Sequence, residues 1–196
     1  MFNLKLANDP LFLAGRRTFF ARSGVVLSGT AVALLAGRES LATQLKKTGA
    51  ESVATDISIL NSALGAEHQA IAAYQVGAES GLLQKPVLDL AMQFQGHHKA
   101  HADLLAATVK QLGGIPVTPK QRYDFPLDQL KSQADVLRFA AGLEQGAVSA
   151  YLGAVPAFDN RDLAKAAASI LGDEAMHWAI LRQALGENPV PAAFVG

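Results

Sequence analysis

The chain has 196 residues, half of them apolar, with 17 basic and 17 acidic side chains and a formal net charge of zero. That length supports one domain with a sizeable core, and the lack of a basic excess argues against nucleic acid as a partner, since phosphate contacts need positive charge. There is no cysteine, which excludes thiolate metal sites, iron–sulfur clusters, disulfides and cysteine nucleophiles; any metal site must use His and carboxylates, ligands suited to iron, manganese or zinc.

Residues 1–42 read as a targeting segment. Arg16-Arg17-Thr18-Phe19-Phe20 and Arg22 precede an uncharged run from Ser23 to Gly37. The run is short for a membrane span, which needs about 20 apolar residues. A basic region followed by a short apolar one has the form of an export signal, and the paired arginines resemble the twin-arginine type. Gly15 and Ala21 depart from that motif, while the arginine pair and the aromatic after it are kept. The resemblance implies export to the periplasm in a folded, cofactor-loaded state. Cleavage is expected near Ser40-Leu41-Ala42; an uncleaved anchor is the alternative. With the signal removed, no stable membrane partner is expected.

Helical periodicity then starts near Ser52, with Ile57, Leu60, Leu64, Ile71 and Tyr74 at three-, four- and seven-residue spacings, and stops at Gly81. A second helix is expected from Pro86 to Leu112, ended by Gly113-Gly114, and a third from Leu127 to Val155, ended by Pro156. Asn160 can cap a fourth, from Arg161 to Leu185, with Gly186 as its stop. The expected bundle therefore spans residues 50–186, followed by an irregular tail over 187–196. Four long helices without a strand signal make the chain all-α, a four-helix bundle. The first and third links are short and join antiparallel neighbours. The middle link of about 14 residues reaches about 46 Å when extended, enough to pass a helix of about 39 Å. That permits a long crossover between helices 2 and 3, taken here to leave helices one and three parallel.

The two helix pairs resemble each other. Glu67-His-Gln-Ala-Ile-Ala-Ala-Tyr74 in helix one matches Glu144-Gln-Gly-Ala-Val-Ser-Ala-Tyr151 in helix three. Gly96-His-His-Lys-Ala-His101 in helix two matches Gly172-Asp-Glu-Ala-Met-His177 in helix four, at nearly the same interval along the chain. The chain thus looks like a duplicated helical hairpin. Glu174 and His177 project from one helix face, one turn apart. In both pairs the interval from the Glu of the first helix to the final His is nearly equal, which puts Glu and His at similar depth in two antiparallel helices. The expected metal ligands are Glu67, His98 and His101 from one half and Glu144, Glu174 and His177 from the other.

This constellation resembles the ferritin-like superfamily of di-iron carboxylate four-helix bundles, whose pattern is Glu, Glu-x-x-His, Glu, Glu-x-x-His. More closely, the chain is similar to bacterial exported ferritin-like domain proteins with a twin-arginine signal. The resemblance covers about Ala50 to Gly186. It implies two helical hairpins joined by a long crossover, with one or two ions of iron or manganese per chain; zinc fits less well. Where the pattern has Glu on the second helix, this chain has His98. Glu174 is then the sole carboxylate left to bridge, and three carboxylates against two divalent ions leave a net charge of +1.

The resemblance implies handling of dioxygen or peroxide, or oxidation of iron, with catalytic residues undetermined. A structural or stress-related bundle without turnover is the alternative reading, and a zinc hydrolase a weaker third. A homodimer stays open. His68 and His97 are expected beside the site or in solvent. Tyr74, Tyr151, Phe94 and Trp178 are expected to pack in the core, with a hydroxyl bond to a ligand as the sharper reading of the tyrosines. Gly65, Gly96, Gly146 and Gly172 suggest close helix approach around the site.

Overall fold

The computed structural model describes residues 39–195. The targeting segment read over residues 1–42 lies almost wholly outside them. The chain divides into two units at Glu51. The first contributes, among the described residues, only the leading turns of a long helix; the second, Ser52–Gly196, is the bundle.

Four helices form: α1 (Glu39–Glu79), α2 (Lys85–Gln111), α3 (Gln133–Ala154) and α4 (Arg161–Ala184), with no strand among the described residues. Their ends follow local chemistry. Pro86 sits in the first turn of α2, where no backbone donor is lost. Asn160 caps α4 by accepting from the amides of Asp162 and Leu163. After α1, α2 and α4 the chain turns at Gly81, Gly113 and Gly186, all at positive φ, a region other residues enter at a cost. None of the described helices is long and apolar enough to cross a membrane.

The third helix starts six residues later than the periodicity suggests. Leu127–Gln129 closes a single 3-10 turn after Pro126, and α3 begins only behind Ser132, whose side chain accepts from the Asp135 amide. A capping hydroxyl decides the start where an apolar spacing alone does not.

The crossover also fixes direction, and it corrects the parallel placement of the first and third helices. Tyr151 of α3 reaches Glu67 of α1, and Tyr74 of α1 reaches Glu144 of α3. Later residues of one helix meet earlier ones of the other, so α1 and α3 are antiparallel. The link leaves α2 beside the middle of α1, where Asn61 bonds Ile115 and Val117, and arrives where the Gln84 amide donates to Gln133. A link that runs the bundle's length returns the chain to the end where α2 began, so α3 repeats the direction of α2.

Two apolar layers flank the middle of the bundle. One gathers Leu60, Leu64, Leu105, Val109, Tyr151 and Ile170; the other gathers Tyr74, Phe94, Leu137 and Leu181. At a transfer free energy of roughly 25 cal/mol per Å² of buried apolar surface, these layers hold the helices together. Between them lies a belt of buried polar side chains.

Candidate metal centre

All six side chains singled out by the duplication point into that belt. Glu67, His98, Glu144, Glu174 and His177 are at most 2 % exposed, and His101 is 14 % exposed along its side chain. Five buried acids and bases without compensation would be strongly unfavourable, so what each one meets decides the reading.

Two groups of four offer ligand atoms within 4.8 Å of one another: Glu67, His98, His101 and Glu174, and His98, Glu144, Glu174 and His177. Glu174 and His98 belong to both. Glu174 does so with a carboxylate whose Oε1 lies 3.1 Å from His101 Nδ1 and whose Oε2 lies 3.6 Å from His177 Nδ1. His98 does so with opposite edges of its ring: Nδ1 is 2.8 Å from Glu67 Oε2, and Nε2 is 3.3 Å from Glu144 Oε1. The imidazole that replaces a carboxylate therefore still spans both halves of the site, with one nitrogen toward each.

Five buried atoms find no hydrogen-bond partner: His101 Nδ1, Glu144 Oε2, both oxygens of Glu174, and His177 Nδ1. His101 Nδ1 and Glu174 Oε1 are only 3.1 Å apart, yet they are not aligned to bond each other. Close but misaligned polar atoms are what a set of lone pairs facing a common point looks like. Native interiors rarely leave so many polar atoms unmatched in one place, and a divalent cation satisfies nitrogen and carboxylate ligands together. The residues present fit a metal.

The tyrosines take the sharper of their two roles. Tyr151 Oη donates to Glu67 Oε1 at 2.6 Å, and Tyr74 Oη donates to Glu144 Oε1. Burial and the adjacent carboxylates push both phenols up, so they stay protonated as donors. Each glutamate is thus held by a tyrosine from the other hairpin.

Electrostatics in the metal-free belt are mutual. Burial alone would pull His98 down, but the Glu144 and Glu67 carboxylates outweigh it and lift it to about 10. His101 and His177 rise against the same burial to about 9, His101 through Glu174 and Glu67 and His177 through Glu144 and Glu174. In return, burial pushes Glu67 and Glu144 up, but the rings hold both below the usual carboxylate range. Protons occupy here the role that cations would take.

One partner escapes the sequence pattern. Asp173 Oδ2 lies 3.3 Å from His101 Nε2 and 3.3 Å from His177 Nε2. A single carboxylate thus stands behind both rings, at their Nε2 edges, while both Nδ1 atoms turn toward Glu174. His97, its counterpart in the first hairpin, is more than a bystander: its Nδ1 is 2.9 Å from His177 Nε2 and 3.2 Å from Asp173 Oδ2, with the side chain 39 % exposed. The position reads as solvated in sequence because its partners are on a different helix. His68 is elsewhere, its Nε2 3.2 Å from the Val117 carbonyl in the crossover link.

The four glycines near the ligands do not mark close helix contacts. A Cβ at Gly65, Gly96, Gly146 or Gly172 would meet nothing within 4 Å. Each lies two residues from an inward Glu or His, about 200° around the helix, and so faces outward. Tight approach occurs instead at Gly77, where a Cβ would stand 3.2 Å from Val136 Cγ1. Phe94 is buried and stacks on His177 with centroids 4.0 Å apart, while Trp178 packs at the edge of its layer.

An antiparallel pair of helical hairpins around a buried His–carboxylate belt defines a ferritin-like bundle. Residues 55–187 match the family model described as a ferritin-like domain, and the chain belongs to that family. Among solved structures it is similar to a conserved hypothetical protein from Mycobacterium tuberculosis, at 25 % identity and a TM-score of 0.64, over 73 % of this chain and 99 % of that one. It is also similar to a ferritin-like, diiron-carboxylate protein from Bacillus anthracis, at 24 % identity and a TM-score of 0.60, over 68 % and 97 % of the two chains. A mycobacterial bacterioferritin shares the fold at 17 % identity and a TM-score of 0.58, over 67 % and 83 %. No protein of curated function matches the sequence.

Proposed function

We propose that the belt is a variant di-metal centre in which Glu67, His101, Glu174 and His98 hold one ion and Glu144, His177, Glu174 and His98 hold the other. The observation that carries this reading is the set of five buried, unpartnered ligand atoms on three helices. The likeness to a structure titled a diiron-carboxylate protein supports iron, and manganese shares its ligand preferences. Such ions supply one-electron chemistry toward dioxygen or peroxide, including the oxidation of ferrous iron. The protein's own part is to hold and orient: Tyr74 and Tyr151 fix the terminal carboxylates, Asp173 backs two rings, and the apolar layers pack on either side of the belt. Export of the loaded bundle to the periplasm by a twin-arginine signal completes the proposal, on the strength of Arg16-Arg17 and the apolar run behind them.

A second reading has one specific observation in its favour. His98, charged, bonds Glu67 and Glu144 at once and so satisfies part of the belt without an ion. A structural bundle of this kind would carry no turnover. Metal analysis of the full chain purified from its own host separates the two. The centre predicts one to two equivalents of iron or manganese and a loss of thermal stability on chelation; below about 0.2 equivalents with unchanged stability, the structural reading stands. A bound ligand at a thousand times its Kd stabilises by about 4 kcal/mol, well within reach of the measurement.

A further inference from the structure

The duplication pairs position 97 with position 173, each one residue ahead of an inward ligand. One residue is about 100° of helix, so His97 and Asp173 turn out of the belt where His98 and Glu174 turn into it. They meet where α2 faces α4, with His97 39 % and Asp173 22 % exposed along the side chain. The buried ring of His177 completes the group from one turn further along α4. His97 Nδ1, Asp173 Oδ2 and His177 Nε2 mark a triangle with edges of 2.9, 3.2 and 3.3 Å. Only the contact between the two rings is aligned as a hydrogen bond. All three are able to hold a metal ion, and His97 belongs to neither group of four inside the belt.

We propose that His97 Nδ1, Asp173 Oδ2 and His177 Nε2 form an outer, mononuclear zinc(II) site, and that zinc held there takes His177 away from the inner centre. Zinc stands about 2.0–2.2 Å from imidazole and carboxylate ligands, and an ion at that distance fits over a triangle of this size without moving its corners. Two imidazoles and one carboxylate, with a side open to solvent, are the donor set of a zinc ion that keeps a water as its fourth ligand. Each inner group instead holds two carboxylates, a set that leans toward iron or manganese. His177 connects the two places. It turns Nδ1 toward Glu174 at 3.6 Å and Nε2 toward Asp173 at 3.3 Å. A neutral imidazole has one bare nitrogen and one N–H, so the ring serves the inner ion or the outer one. The two ions are therefore rivals for one side chain. The outer site does not depend on the metal reading of the belt; the rivalry does.

The test uses the full, metal-free chain, with zinc binding followed by calorimetry and manganese(II) binding by electron paramagnetic resonance. The wild type is compared with His97→Ala and with His97→Gln, which keeps a hydrogen-bonding group but is a poor zinc ligand. His97 is no inner ligand and is half-exposed, so both variants should keep their helical content and, without zinc, their uptake of manganese. The wild type is expected to bind zinc at one tight site. Both variants should weaken that site by at least about ten-fold, the lower end of what losing even an orienting group costs a metal site. The zinc needed to halve the bound manganese should rise in the variants by the same factor. Equal zinc affinity in the wild type and either variant overturns the outer site, since zinc then sits in the belt or His97 acts only by hydrogen bonding. Zinc held through His97 while the wild type keeps its manganese overturns the rivalry. Zinc held through His97 in a chain that takes up neither manganese nor iron leaves the outer site standing and defeats the metal reading of the belt.

Discussion

At the scale of single residues, the centre is governed by where protons sit. His98 titrates near 10 in the folded, metal-free chain, against about 6.5 unfolded. Its raised value means that its protonation stabilises the fold fully below pH about 6.5, and that this contribution disappears as pH rises through about 10. His101 and His177, near 9, act in the same direction. Metal binding runs the other way, because ligation requires the rings to give up protons. The metal-free chain should therefore lose denaturant stability between pH 7 and 10 while affinity for manganese or iron rises over the same interval. Equal urea midpoints at pH 7 and 10 for the metal-free chain would contradict this. Asp173→Ala should weaken metal binding by about 10–100-fold, the usual effect of removing the group that orients a ligating His, with the helical content intact by circular dichroism. That these six side chains would meet in one belt is legible because the duplication repeats their positions at a nearly fixed interval. Asp173 is not, since its partners His101 and His177 sit on two helices and a linear pattern shows only the neighbour Glu174.

At the scale of elements, the helix ends are written in the sequence as glycine, proline and asparagine, each with a local cause. The start of α3 is not, because Leu127 and Leu130 keep a helical spacing while Pro126 and the Ser132 cap set the real boundary. Nor is the role of Asp56. It is 3 % exposed on α1, and its two oxygens accept from the amides of Asp159 and Asn160 ahead of α4, at 3.0 and 3.2 Å. A carboxylate on the first helix thus fastens the start of the last, across most of the bundle's sequence. Asp56→Ala should lower stability by about 1–3 kcal/mol, the loss of two hydrogen bonds each worth about 0.5–1.5 kcal/mol net, read from the urea midpoint. Asp56→Asn, which keeps one acceptor, should lose less. If both variants matched the parent, the contact would contribute nothing.

At the scale of the whole molecule, the fold class is readable from four periodic segments and their links, whereas helix direction is misread from them. The long link has the reach to span the bundle; that it must then restore the direction of α2 is a matter of geometry that residue spacing does not display. The crossed Tyr–Glu pairs carry a consequence for assembly. Tyr74 serves Glu144 and Tyr151 serves Glu67, so neither hairpin owns a finished set of supports; each completes its sibling. A chain severed within the exposed stretch 118–122 should still rejoin as two fragments, and manganese should tighten their association. Fragments that associate equally with and without manganese would break that link. On this view the protein is a dimer folded into one chain, and ion loading is an event of union: it waits until the halves have exchanged their tyrosines.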